Sequence, residues 1–494
     1  MSGRLWALVL FAGAAIAACG GGLSSGGSGG GLMPDARGHS TNSKIQHVIV
    51  VIQENRSFDN FFATFPGADG ATSGQAAPMP SPIAASCANR GQPVITQPTT
   101  VPLTKVSLVG AGFPPNNFGE DNDLDHHYGG YVTELDSGKM DGFDLVRFGA
   151  TGLGPQAECT YAYQYVDPAD IKPYWDMAKQ YVLADAMFDT QGSESFTGHQ
   201  DLIAGGTAVN YKPSQNGDNS IIDNPYVLWP WGCDSPPGTV TSLITTSGQY
   251  LEGHGPFPCF TYATVRDQLD AKKISWKYYT ISSKKGGAGI WSAFDAIKAV
   301  RNGTEWTSNV TKNPTVIFRD IKYGKLPSVA WVTPDAFNSD HPAEYMKVGK
   351  KLVPVDNGPS WVASIVNAIG QSTYWNSCAI IILWDDPGGF YDHVKPAFYD
   401  NQGGLGFRLP MLIVSPYVAA HVEHTQYESA SVLKFIQENW KLGTLPATPD
   451  ARAASIGNAF NFSQTPRPFH RIRSKYSESF FLKQQPSGLP VDTE

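Results

Sequence analysis

The chain is poor in charge, poor in histidine and has no excess of base. Charged residues make up 16% of its 494 positions, and 36 Lys and Arg stand against 44 Asp and Glu, for a formal net charge of −8. Binding along a nucleic-acid backbone needs clustered cations, so nucleic acid is not expected as a partner. A single phosphate held through a metal is not excluded. The 6 cysteines show none of the paired spacings of a zinc finger. Past the N-terminus no apolar run reaches the roughly 20 residues that span a bilayer, and there is no internal repeat. Disorder throughout is excluded by a hydrophobic content of 41% and an aromatic content of 12%. That is enough to build one large α/β domain with insertions, or two domains.

What is present begins with an export signal. Arg4 precedes an apolar run from Leu5 to Ala18, which reads as a signal peptide over 1–18. Ile16-Ala17-Ala18-Cys19-Gly20 is similar to a bacterial lipobox, at which Cys19 would be lipidated; cleavage of an ordinary secretory peptide near Ala18 is the alternative. Residues 19–43 are Gly/Ser-rich and are expected as a flexible tether. The expected location is exported: lipid-anchored to the membrane through Cys19, or periplasmic or secreted. Export permits disulfides. Cys233 and Cys259 flank a Gly/Pro-rich excursion and are the favoured pair, contributing about 3–4 kcal/mol in the chain-entropy picture. Cys87 with Cys159 is the second pairing, and Cys378 is expected as a free buried thiol.

The rest is organised around Val48 to Ile52, a continuous β-branched run of the kind buried on both faces of a parallel sheet. It stops at Glu54-Asn55-Arg56, with Ser57 or Asp59 able to open a helix. Cys378 to Trp384 is a second such run, and it stops at Asp385-Asp386. Adjacent carboxylates at the end of a buried strand are costly unless paired or metal-bound. Further strands are expected over 181–185, 274–279, 328–332 and 409–414. Helices are expected over 264–272 (capped by Thr264), 359–369 and 431–440. Strands alternating with helices give an α/β fold with a mostly parallel central sheet flanked by helices. The domain reading is a catalytic region over 44–465, carrying a disulfide-bearing cover over 206–260, then a polar tail over 466–494 expected to be peripheral.

Ligands in such sheets sit beyond the carboxyl ends of the strands. Asp125-His126-His127 lies in a polar acidic loop, His341 follows Ser339-Asp340, and His393 follows Asp392. Ser195, in Gln191-Gly192-Ser193-Glu194-Ser195-Phe196, stands where a helix begins, beside unpaired backbone N–H groups. That placement suits a nucleophile attacking anionic phosphorus, but it also suits a simple N-cap, and Ser193 is close enough to compete. The oxygen-rich set Glu54, Asn55, Ser195, Asp385 and Asp386 matches a hard divalent ion, Ca²⁺, Mg²⁺ or Mn²⁺, with Zn²⁺ possible. His126, His341 and His393 could bind the substrate or protonate a leaving alcohol.

Glu54 to Asp59, Gly138 to Phe143, Ser195 to Gln200, Trp231 to Gly238, Ser339 to Pro342 and Trp384 to Val394 together resemble the bacterial phosphoesterases that include phospholipases C and an acid phosphatase, in the alkaline-phosphatase superfamily. The resemblance implies an alkaline-phosphatase-like fold. It also implies Glu54, Asn55, Asp385 and Asp386 as metal ligands, Ser195 as ligand and nucleophile through a phosphoseryl intermediate, and His126 and His341 on the phosphate. Many phospholipase C members carry a threonine followed by Pro-Asn-Arg at the nucleophile, where this chain has Ser195-Phe196-Thr197-Gly198. The longer ones add C-terminal β domains. The function expected is metal-dependent hydrolysis of a phosphate ester, most simply a phospholipase C-like diester. The alternatives are an acid phosphatase acting on monoesters and a catalytically inactive ligand-binding lipoprotein. A sulfatase-like relative is disfavoured, because no Cys-x-Pro-x-Arg segment occurs.

Overall fold

The two long β-branched runs become neighbouring strands at the centre of the molecule. The computed structural model describes residues 44–112, 123–149, 156–210, 219–225, 231–281, 289–342, 345–348, 351–397, 404–445 and 451–487. The expected signal peptide, the tether and Cys19 lie outside the described residues. Strand β1 is His47–Gln53; β2 Val182–Phe188; β3 Ala208–Asn210; β4 Asn219–Pro225; β5 Thr241–Ile244; β6 Tyr250–Leu251; β7 Trp276–Tyr279; β8 Val310–Thr311; β9 Val329–Val332; β10 Cys378–Trp384; β11 Arg408–Val414; β12 His421–Glu423; β13 Tyr427–Glu428.

The main sheet is nine-stranded, in the order β8-β7-β9-β1-β10-β11-β2-β12, with β13 also paired to β2. Its strands run parallel except β11, which is antiparallel to both β10 and β2. This is the mostly parallel α/β sheet expected, and the topology has one consequence for function. Strands β1, β2, β7, β9 and β10 all end on the same side, so residues far apart in sequence meet there. Every residue of β10 is buried, as is nearly all of β1, which is why both read as unbroken apolar runs without alternation.

The flanking helices follow the capping chemistry of their sequences. Ser57 caps α1 (Phe58–Phe62) by accepting from Asn60 N at 3.2 Å. α2 spans Tyr128–Leu135, α3 Lys172–Gln180 and α4 Ser195–Ala204. Thr264 caps α5 (Val265–Ala271), with Asp267 Oδ2 accepting from its backbone N–H at 2.9 Å. α6 (Gly358–Gly370) carries Pro359 in its first turn. α7 (Ser429–Trp440) turns Val432, Leu433, Phe435 and Ile436 into the core.

Strands β3 to β6 make a separate antiparallel sheet within the 206–260 excursion, and Cys233–Cys259 and Cys87–Cys159 are both formed, with Cys378 buried and free. Disulfides of this kind fit an extracytoplasmic location. The tail departs from expectation. Ile472 and Phe481 are buried, Asn367 on α6 exchanges two hydrogen bonds with the Ile472 backbone, and Phe481 packs on Trp361. A basic, polar average composition hides these single apolar anchors. Among the described residues no helix is long and apolar enough to cross a membrane.

Candidate active site

The ends of β1 and β10 build one buried acidic centre. Glu54, Asn55, Asp385 and Asp386 are all essentially inaccessible. Asn55 takes a left-handed backbone, φ 57°, which asparagine tolerates better than most residues. That twist lets its own N–H donate to Asp385 Oδ1 at 3.0 Å, while Arg56 N donates to the Asp386 carbonyl at 3.1 Å. The two strand ends are thereby clamped together. Burial, then the charges of Glu54 and Asp386, push the Asp385 carboxyl well above the usual range, with His199 as the counter-charge. Glu54 and Asp385 also share a side-chain hydrogen bond. Carboxyls that close need a proton or a cation between them.

His199 completes this centre. Its Nε2 lies 3.2 Å from Glu54 Oε2 and 3.5 Å from Asp385 Oδ2, and ligand atoms of Glu54, His199 and Asp385 all fall within 4.8 Å of one another. Asn55 Oδ1 is buried with no hydrogen-bond partner, although an orphaned buried acceptor costs on the order of 1–3 kcal/mol. One histidine nitrogen, several carboxylate oxygens and an orphaned amide oxygen fit a divalent cation. The nitrogen brings Zn²⁺ and Mn²⁺ forward beside the harder ions.

Ser195 reaches the centre from β2. It is the first residue of α4, not its cap; Glu194 takes the cap position. Its Oγ donates to Asp386 Oδ2 at 2.8 Å, and Asp386 Oδ1 accepts from Gly388 N at 2.7 Å. Ser193 points elsewhere: its hydroxyl donates to Asp223 on β4 and accepts from Thr197. Phe196 N donates to Asn224 Oδ1 at 3.1 Å. The 206–260 excursion thus buttresses the start of α4. The approach of α4 to β10 is close enough that a Cβ on Gly198 would lie 2.4 Å from the Asp385 carbonyl oxygen, so glycine is required there.

The three histidines singled out in sequence separate. His126 is buried and joins the centre through Asn55. Its Nδ1 is 2.7 Å from the Leu124 carbonyl and its Nε2 3.2 Å from Asn55 Nδ2, a contact that fixes the Asn55 amide. His341 lies at the rim, Nε2 3.5 Å from Asp123 Oδ2, with its ring 5.9 Å from that of Trp291. His393 is in a different cluster, Nδ1 2.7 Å from Asp59 Oδ2 and Nε2 3.2 Å from Asp69, with Arg408 binding the same Asp59. It is not brought to the acidic centre. Sequence reasoning also missed His199, though a signal existed: it lies four residues beyond Ser195, on the same helical face.

Comparison with known proteins gives one consistent kinship. The model of the phosphoesterase family matches residues 45–443. Phospholipase C A of Mycobacterium tuberculosis is 25% identical over 475 residues, covering 87% of this chain and 79% of that one. The non-hemolytic phospholipase C of Pseudomonas aeruginosa is 23% identical, covering 87% of this chain and 59% of that one. Among solved structures, a protein in the alkaline phosphatase superfamily from Vibrio parahaemolyticus aligns with a TM-score of 0.33 at 10% identity, over 74% of this chain and 75% of that one, a likeness too weak to bear on mechanism.

Proposed function

The chain belongs to the phosphoesterase family and is a hydrolase of phosphoric ester bonds, and on that premise we propose a phospholipase C-like phosphodiesterase with Ser195 as nucleophile and a divalent metal at the acidic centre. The observation that carries this reading is the 2.8 Å contact of Ser195 Oγ with Asp386, beside the Glu54–His199–Asp385 group. The ligands would be Glu54, Asn55, Asp385, Asp386 and Ser195, with His199 added. What a bound divalent ion supplies there is a lowered serine pKa and compensation of charge on the phosphoryl oxygens.

The protein's own residues do the rest. Ser195 loses its proton along the bond to Asp386 and attacks phosphorus as the ester oxygen departs. The N-terminus of α4 favours the anionic phosphoryl group. His341 would protonate the leaving alcohol. His126 acts through Asn55, holding its amide in register. Water then cleaves the phosphoseryl ester. Diester preference is supported by the names of the relatives, phospholipases C.

The test is turnover of p-nitrophenyl phosphorylcholine against p-nitrophenyl phosphate by metal-replete protein. Preference for the choline diester is expected; preference for the monoester at acid pH would assign a phosphatase instead. Ser195→Ala is expected to lower turnover by on the order of 10³-fold or more, whereas Ser193→Ala retains most of it. The reverse ranking would make Ser193 the nucleophile. We also propose lipidation at Cys19; Cys19→Ala should release the protein from membranes, and a variant that stays bound overturns the anchor.

A further inference from the structure

Trp291 carries a buried donor with nothing to donate to. Its side chain is fully buried, and Nε1 has no hydrogen-bond partner. Five other buried indoles are paired. Trp175, Trp276, Trp331, Trp375 and Trp384 donate to Phe61 O, Asp270, Leu202 O, Arg467 O and Asp340. The Nε1 atoms of Trp231 and Trp361 are also unpaired, but Trp231 packs edge-on to Phe196 and Trp361 packs on Phe318 and Phe481. Trp291 also belongs to an apolar cluster, with Phe196, Trp231 and Phe260, but its ring meets two histidines as well. Its ring stacks on His199 at 6.5 Å and 24°, and lies 5.9 Å from His341. It therefore bridges the nitrogen ligand of the acidic centre and the histidine at the rim.

Its backbone is held by Tyr278. Tyr278 Oη, at the end of β7, donates to the Trp291 carbonyl at 2.8 Å and accepts from Ala293 N at 3.3 Å. The Tyr278 hydroxyl is pushed up by burial and then by the charges of Glu54 and Asp385, which places it within their field. An unsatisfied N–H is expensive to bury, and Asn55 Oδ1 in the acidic centre is likewise buried without a partner. Both atoms are pre-set for partners that arrive from outside, an acceptor in one case and a cation in the other.

We propose that Trp291 Nε1–H donates a hydrogen bond to a non-bridging phosphoryl oxygen of the substrate bound at Ser195, a role that rests on the phosphoesterase reading of the site. The indole is neutral and cannot compete for the metal, and its fixed orientation costs no reorganisation when charge builds on that oxygen.

The experiment uses full-length, metal-replete protein labelled with ¹⁵N at tryptophan indoles and titrated with orthovanadate, a mimic of pentacoordinate phosphorus. The indole resonance missing from Trp291→Phe is expected to move downfield in the wild type as orthovanadate binds. Trp291→Phe should weaken orthovanadate binding by roughly 10- to 100-fold, the factor one hydrogen bond to a charged group supports, and Trp361→Phe, which shortens an equally buried ring, controls for the cavity that the smaller side chain leaves. That control should leave the affinity unchanged. If the wild-type resonance stays put and Trp291→Phe binds orthovanadate as well as wild type, the role of Trp291 is overturned while the phosphoesterase site stands. If the wild type binds no orthovanadate at all, both are overturned together.

Discussion

Two buried acidic clusters, built from the same two loops, meet opposite fates. Immediately after β1 and β10 come Glu54, Asn55, Asp385 and Asp386; a few residues further along the same loops come Asp59, Asp392 and His393. Asp59, Asp392 and His393 also lie within 4.8 Å of one another and resemble a metal site on that measure alone. Arg408, buried at the start of β11, closes that second cluster. Its guanidinium donates to both oxygens of Asp392 at 2.7 and 3.1 Å, to Asp59 at 3.4 Å, and to the carbonyls of Asp69 and Asp185 at 2.8 Å. The Phe58 ring covers it at 4.6 Å. At the first centre the groups that raise Asp385 are other acids, and the counter-charge is a histidine. The lesson is that a buried acid cluster is read by what neutralises it: a covalently attached cation makes structure, and a histidine with an orphaned amide oxygen in its place leaves room for the ligand proposed above.

The contrast can be broken most decisively at the carboxylates. Asp385→Asn is expected to cost turnover on the order of 10³-fold, the several kcal/mol that a metal supplies, and to lower bound metal by elemental analysis. Asp392→Asn should leave metal content at the wild-type level. Equal loss of metal in both variants would erase the distinction. Next in size, Arg408→Met strands two buried carboxylates and is expected to destabilise the fold by about 3–5 kcal/mol in urea unfolding. Combining it with Asp392→Asn should recover part of that loss. A cost for Arg408→Met under about 1 kcal/mol, as at an exposed pair, would show that the guanidinium does not hold the cluster.

The smallest effect is a pH dependence at His393. Burial pulls its imidazole down, but the hydrogen bond and charge of Asp59, then Asp392, outweigh this and hold it above the ordinary value, against Arg408. A raised folded-state pKa means the charged form is favoured in the native protein. The stabilisation is therefore fully present below the unfolded pKa of about 6.5 and is lost as pH rises through the folded value. The Tm gap between wild type and His393→Gln should be widest in acid and close toward alkaline pH. A gap that widens with rising pH contradicts the ion pair.

Much of this was legible without coordinates. The unbroken runs Val48 to Ile52 and Cys378 to Trp384 announced doubly buried strands, because only a parallel interior tolerates that many consecutive apolar side chains. Acids placed right after them announced a buried cluster that needs a counter-charge, because charge at a buried strand end is costly. Thr264, Ser57 and Pro359 marked helix starts by local chemistry alone. His199 was within reach of the i, i+4 rule but carried no strand-end signature. The tail was misjudged because Ile472 and Phe481 are anchors too sparse to alter an average.

Sequence by itself determined the class of fold and the buried strands that end in acids, since these follow from local patterns of burial and charge. Only the tertiary structure decided that Ser195 and not Ser193 faces Asp386, that His393 belongs to the cluster Arg408 closes, and that Trp291 bridges His199 and His341. Each of those choices depends on which side chain arrives from a distant strand, and in a folded interior it is that arriving partner, not the residue's own neighbours in sequence, that satisfies or strands a buried polar group.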